Sequence, residues 1–170
     1  MTNEQIIASL QEKFGETVSD FNEEFGMLSF EAAADKNTEL LQFLRDNLEF
    51  NFLTDVCGIH YPDLAAERQF AVVYHLHNWV TNVRLRFKCF LSAENPEIET
   101  ASKIYLSANW QERETYDFYG IVFNGHPDLR RILNMDEMVS FPMRKEFPLE
   151  DQGRTDKDDR YFGREAKAIS

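Results

Sequence analysis

The sequence predicts an α+β domain, two layers deep, of α-β-β-α-β-β-β order with a mixed or antiparallel sheet. A short helix and an extended C-terminal segment follow. Three observations carry this. Apolar residues recur at helical spacing in two separated segments, near 3–14 and 36–48. Three later runs, 52–60, 69–77 and 81–91, read as strands of period two. From residue 121 onward, glycines and prolines at short intervals discourage long elements. The expected division is a core domain over 1–120 and a docking segment over 121–170 that is not an independent domain.

Thr2 and Gln5 have capping-box spacing, Ile6, Ile7, Leu10 and Phe14 follow on one helical face, and Gly15 is a C-terminal stop. Val18–Phe21 and Met27–Phe30 read as short strands around the Glu23–Gly26 turn. Leu40, Leu41, Leu44 and Leu48 mark the second helix. In the last long strand, Val83, Leu85, Phe87, Cys89 and Leu91 alternate with Arg84, Arg86, Lys88 and Phe90, so one face meets a core and the other is open. Residues 92–107 read as a loop leading into a short helix. Asn109, three residues before Glu112, has N-cap spacing for a further helix that Gly120 ends.

At 170 residues the chain is long enough to bury its own core without disulfides or a structural metal. Its net charge of −12 argues against nucleic-acid binding, which needs a basic face. The acidity is concentrated: residues 1–60 carry 12 acids against 3 bases, whereas the later segments are nearly balanced and hold most of the arginines. The acidic third reads as a solvated face, and partners are expected on the back half. No apolar run is long enough to span a bilayer. The first residues resemble neither a secretory nor a transit leader, and two cysteines do not make a disulfide framework, so a reducing compartment is expected.

The densest chemistry lies at Trp110–Gly120. Arg113 and Asp117 are i,i+4 neighbours on a helix and could pair. Glu112 and Glu114 point to different helix faces and would not flank one bond as glycosidase carboxylates do. The acids therefore either cap loops and meet nearby arginines, or meet another chain. In Gly125-His126-Pro127-Asp128, His126 could act as a base oriented by Asp128, but a proline-fixed turn is the preferred reading. Adjacent Arg130 and Arg131 reach in different directions and suit bridging several carboxylates. The proline-bracketed strip 141–149 reads as a docking strap, the alternative being a strap on the chain's own domain. Cys57, His60, His75 and His77 have metal-compatible spacings, but three or four must converge; the expectation is no metal. Nucleotide, iron–sulfur and serine-nucleophile motifs are missing.

Residues 110–133, with Glu112-Arg113-Glu114, Asp117, Gly120-Ile121, Phe123 and Gly125-His126-Pro127-Asp128-Leu129-Arg130-Arg131-Ile132-Leu133, resemble the signature of the respiratory complex I 30 kDa subunit family (in bacteria, the C subunit of NADH:quinone oxidoreductase). Pro142-Met143-Arg144-Lys145-Glu146-Phe147-Pro148-Leu149 is similar to the family's P-L-R-K-D-F-P-L strip, with Met for Leu and Glu for Asp. Residues 134–141 depart from the family pattern, lacking the Gly and Gly-His that usually precede that strip. The sharp motifs cover 110–149, and the element order agrees along nearly the whole chain.

The resemblance implies a non-catalytic structural subunit of the peripheral arm. Flavin, iron–sulfur clusters and quinone would sit in partner subunits, with no cofactor in this chain. Subunits D and B would be the main neighbours. The chain would lie peripherally on the cytoplasmic side of the bacterial inner membrane, held there only through the complex. The signature residues Glu112, Arg113, Glu114, Asp117, Gly120, Gly125, His126, Pro127, Asp128, Arg130, Arg131, Arg144, Lys145, Phe147 and Pro148 are expected to build or form the interface. An equivalent subunit of a complex-I-like hydrogenase or ferredoxin:quinone oxidoreductase is the near alternative. A free-standing enzyme using His126 with Asp128, or a metal, is the distant one.

Overall fold

The computed structural model describes residues 2–147. Helix α1 spans Asn3–Phe14 and opens on the capping box the sequence predicts: Gln5 N–H donates to Thr2 Oγ1 and Thr2 N–H to Gln5 Oε1 (3.0 Å). Strands β1 (Val18–Glu24) and β2 (Met27–Ala32) form a hairpin longer than its apolar residues suggest. Helix α2 covers Asn37–Asp46, and Leu48 is buried beyond its end. Strands β3 (Phe52–His60), β4 (Phe70–Asn78) and β5 (Val83–Leu91) complete a five-stranded sheet of order β1-β2-β5-β4-β3. The sheet is mixed because β2 runs parallel to β5, while the other pairs are antiparallel.

Helices cover one face of the sheet. Ile6 and Leu10 of α1 and Leu40, Leu41 and Leu44 of α2 share one core with Leu28, Phe30, Tyr74, Leu85 and Phe87 from the sheet. Phe30, Phe87 and Tyr74 stack in sequence at centroid distances of 5.5 and 4.8 Å across three neighbouring strands. Tyr74 is fully buried, and its hydroxyl is satisfied by Asn37 Nδ2 (3.2 Å). The opposite face carries Asp55 and Cys57 of β3, His75 of β4 and Arg86 and Lys88 of β5.

Two elements went unread in the sequence. Strand β6 (Glu97–Glu99) lies in the expected loop, and it pairs in parallel with β7 (Val122–Asn124), just beyond the expected boundary at residue 120. Three-residue strands carry too little periodicity to register. Ile121 and Phe123 belong to the buried core, so packing runs past that boundary. The short helix expected before residue 107 is only a turn, closed by Ile104 and Tyr105 N–H groups on Ala101 O. Helix α3 spans Ala108–Tyr119 and starts one residue before the expected cap: Ser107 is its N-cap, without a side-chain bond, and Asn109 lies inside.

Candidate functional site

Helix α3 carries the signature. It can lie flat on β3 because of Gly58, where a Cβ would come within 2.7 Å of Tyr119 Cδ2 and 2.9 Å of Thr115 Cγ2. Thr115 Oγ1 donates to Val56 O (3.3 Å) and Gln111 Nε2 to Thr54 O (3.1 Å), fastening the helix to that strand. Gly120 ends it in the left-handed conformation (φ 72°). A side chain there would strike Phe141 at 2.6 Å, so this glycine also seats the later strip.

The charges of α3 turn inward. Glu112 is fully buried: Oε2 accepts from Thr100 Oγ1 (2.5 Å) and Oε1 from Ala101 N–H (2.6 Å). Burial raises its pKa to about 7, against the lowering effect of those two donors. Asp117 is buried as completely, yet its carboxyl moves the other way. Burial opposes its charge. The N–H groups of Asn134, Leu133 and Ile132 and the Arg131 guanidinium outweigh that and hold it well below the usual carboxylate range. Of the two alternatives left open for these acids, capping loops and meeting nearby arginines is what Glu112 and Asp117 do.

The Arg113–Asp117 pair that helical spacing allows does not form. Arg113 instead donates to the carbonyls of Arg130 (3.3 Å) and Arg131 (3.1 Å), with its guanidinium 5.0 Å from the Trp110 ring centre. Asp117 pairs with Arg131 at 2.7 Å. Nor do Arg130 and Arg131 bridge several carboxylates: Arg130 meets Asp128 (2.9 Å), and Arg131 meets Asp117 plus the carbonyls of Met138 and Ser140. The reason is shared. The 130–140 loop has many backbone groups to satisfy, and the arginines and Asp117 supply the partners. The loop's apolar side chains then face outward: Leu133, Met135 and Val139 are exposed, as is Trp110 on α3.

His126 sits in a turn, as preferred. Asp128 N–H donates to Nδ1 (3.0 Å), so Nε2 carries the hydrogen and donates to Asn109 O (3.0 Å). The Asp128 carboxylate faces Arg130 instead of the imidazole, which leaves no oriented base. Gly125 precedes it at φ 76°, with Pro127 following in the turn, while Glu114 lies on a less buried face of α3.

The strip at 141–147 is fastened to the chain's own domain, the alternative reading of it. Arg144 donates to Tyr119 O (2.7 Å) and lies between the rings of Phe70 (4.9 Å) and Phe141 (4.7 Å). Met143 N–H donates to Phe118 O, and Lys145 N–H to His60 Nδ1. One backbone acceptor and two aromatic faces hold the guanidinium in place. Met143 and Phe147 stay partly exposed. Pro148 and Leu149 lie outside the described residues.

The four residues weighed for a metal do not converge. His60 is stacked on Phe70 and accepts from Lys145, and His77 meets Asn82 Oδ1 (3.0 Å). Cys57 and His75 do come together, but with Asp55, which sequence reading passed over. The ligand atoms of these three lie within 4.8 Å of one another. Burial, then the Asp55 charge, pushes the Cys57 thiol up to about 12. A period-two reading puts Asp55 and Cys57 on one face, and that signal was available; their meeting with His75 depends on strand register.

Residues 30–153 match the family described as "Respiratory-chain NADH dehydrogenase, 30 Kd subunit". The chain is 40% identical over 153 residues to the NADH-quinone oxidoreductase C subunit numbered 2 of Rhizobium etli, covering 88% of this chain and 79% of that protein. It is 39% identical over 152 residues to the C subunit of the Geobacter sulfurreducens NADH-quinone oxidoreductase, covering 89% and 93%. Among solved structures, a trypsin-resistant fragment of Nqo5 superposes with a TM-score of 0.65 at 32% identity, covering 76% of this chain and all of the fragment. A chain of an archaeal membrane-bound sulfane sulfur reductase shares the fold, with a TM-score of 0.72 at 24% identity, covering 86% and 85%. With the matched stretch spanning the buried Glu112 and the Asp117–Arg131 latch, the chain belongs to the 30 kDa subunit family of respiratory-chain NADH dehydrogenase.

Proposed function

We propose that this chain is a non-catalytic structural and assembly subunit of the peripheral arm of a proton-translocating NADH:quinone oxidoreductase. There it supports electron transfer from NADH through iron–sulfur clusters to quinone. Its enzymatic role is that of the complex, with no active site of its own. The relatives named above are C subunits of NADH-quinone oxidoreductases.

One observation carries the assembly reading. Glu112, Arg113, Asp117 and Arg131 spend their charges inside the chain, and the loop they hold presents apolar side chains to solvent. Asp117 has no exposure, whereas Trp110 is 63% exposed and Leu133 65%. Buried charges that fix a loop, with Trp and Leu of the same helix and loop left exposed, suit the rigid anchors of an interface. The Trp110–Leu133–Met135 surface is where the complex would seat this subunit. Subunits D and B are the proposed neighbours. Flavin, iron–sulfur clusters and quinone belong to partners, and no electron carrier to this chain. Attachment is proposed to be only through the complex, on the cytoplasmic side of the bacterial inner membrane; among the described residues no helix is long and apolar enough to cross a membrane. Its net charge of −12 argues against a nucleic-acid partner.

Affinity purification of the tagged chain from native membranes tests this. Subunits D and B should be recovered with it, together with NADH:quinone reductase activity. Trp110→Ser should leave the isolated chain's melting temperature within about 2 °C while weakening association by roughly 2 kcal/mol or more. Recovery without D and B, or wild-type recovery by Trp110→Ser, would overturn the reading.

A further inference from the structure

The open face of the sheet holds an arrangement that assembly does not explain. Asp55 and Cys57 alternate along β3 and project to the same side. His75 stands directly opposite Asp55 in the antiparallel β3–β4 register. A register shift between Leu53 and Asp55 sets that alignment. One carboxylate oxygen, one thiol sulfur and one imidazole nitrogen thus gather with every pair within 4.8 Å.

His75 Nδ1 is buried and has no hydrogen-bond partner among the described residues. It sits 3.5 Å from Asp55 Oδ2 without forming a bond to it. A buried nitrogen 3.5 Å from a carboxylate and without a hydrogen bond is an orphan that a cation shared by the two would satisfy. Tetrahedral coordination at about 2.0–2.3 Å spaces donors about 3.3–3.8 Å apart, so the three need to close by only about 1 Å.

The donor set selects the metal. Sulfur and imidazole exclude magnesium and calcium, and a Cys, His and Asp set is that of zinc. Asp55 and His75 also line a groove of ≈ 640 Å³ with Phe52, His77 and Trp79. A fourth coordination position therefore opens toward space large enough for water or a small ligand. Of the charges around the cluster, Arg86 opposes a cation; its Nη2 donates to the neutral Ser29 Oγ (3.0 Å) and its Nε has no partner among the described residues, so the Asp55 carboxylate and the Cys57 thiolate must outweigh it. Glu114 of α3 adds a negative field at Cys57.

We propose that Asp55, Cys57 and His75 bind one zinc-class divalent cation, with the fourth position open to the groove. On binding, the Cys57 thiol forms the sulfur–metal bond and releases its proton to solvent; no electron moves. The site departs from the sequence expectation of no metal in this chain. It goes beyond the assembly reading and does not rest on it, since a redox-inert ion is not an electron carrier.

Titration of the purified, chelator-treated full chain with Co²⁺ tests the proposal. One Co²⁺ per chain should bind, with a thiolate-to-cobalt charge-transfer band in the near ultraviolet, and Zn²⁺ should displace it. Cys57→Ser should remove the band. Asp55→Asn and His75→Gln should weaken binding by at least the roughly 10–100-fold that losing an outer-sphere partner costs. His77→Gln, on the same groove, should leave it unchanged. Asp55 is half exposed, so Asp55→Asn keeps the test intact if Cys57→Ser fails to fold. No charge-transfer band in the parent chain, its persistence in Cys57→Ser, or parental affinity in both Asp55→Asn and His75→Gln overturns the site.

Discussion

Asp117 and Arg131 meet at 2.7 Å across fourteen residues of chain, the carboxylate with no exposed surface and the guanidinium side chain 8% exposed. Three consecutive backbone N–H groups, from Ile132 to Asn134, close on the same carboxylate. The pair thus works as a latch: Asp117 gathers the loop, and Arg131 ties its far end through the carbonyls of Met138 and Ser140.

Breaking this latch should be costly, because truncating one member of a buried pair strands the other's charge. Asp117→Ala and Arg131→Ala should each destabilise the chain by about 3–5 kcal/mol. For a domain of this size that lowers the melting temperature by about 6–20 °C. Asp117→Asn, which keeps one acceptor oxygen, should cost less than Asp117→Ala. Thermal unfolding of the purified variants checks this, and an unchanged melting temperature in both alanine variants would mean that the pair latches nothing.

The two buried acids should respond to pH with opposite sign. The folded pKa of Asp117 is depressed, so its contribution is complete above the ordinary value of 3.8 and is lost as pH falls through the lower folded value. The folded pKa of Glu112 is raised from 4.5 to about 7, so stability instead declines as pH rises across that window. The slope is at most about 1.4 kcal/mol per pH unit. Glu112→Gln should flatten this decline, as read from urea unfolding midpoints between those two pH values. A slope unaltered by the substitution would mean that Glu112 does not titrate there.

Gly58→Ala should lift α3 from β3. The added Cβ meets Tyr119 and Thr115 ring and methyl carbons below 3.0 Å, so the helix must shift. Overpacking of this kind costs about 1–3 kcal/mol. A lowered melting temperature together with altered near-ultraviolet circular dichroism is expected. Loss of stability without a change around the Tyr119 ring would place the strain elsewhere.

Arg144→Ala should free the strip that follows α3. It removes a bond to Tyr119 O and contacts with two rings, each cation–π contact worth about 0.5–2 kcal/mol. A Glu-specific protease should then cut after Glu146 faster than in the parent chain, while the sheet survives. Arg144→Lys should fall between, since an ammonium keeps the charge but not the flat stacking surface. Equal cleavage rates in all three proteins would count against the strap.

Much of this protein follows from spacing along the chain. The capping box at Thr2–Gln5 and the alternation of Val83–Leu91 lie where the structure has α1 and β5, because helical and extended periods follow from local covalent geometry. The signature at 110–133 could likewise be read as a place where charges need partners. Which partner each obtains was not written locally. Arg113, one helical turn from Asp117, was the available neighbour, but a buried carboxylate takes the arrangement that converges most donors on it, and those come from the loop at 131–134. The parallel placing of β2 beside β5, the β6–β7 pair and the gathering of His75 with Asp55 and Cys57 are of the same kind. Each depends on register between segments distant in sequence, which is settled only when the core closes around both.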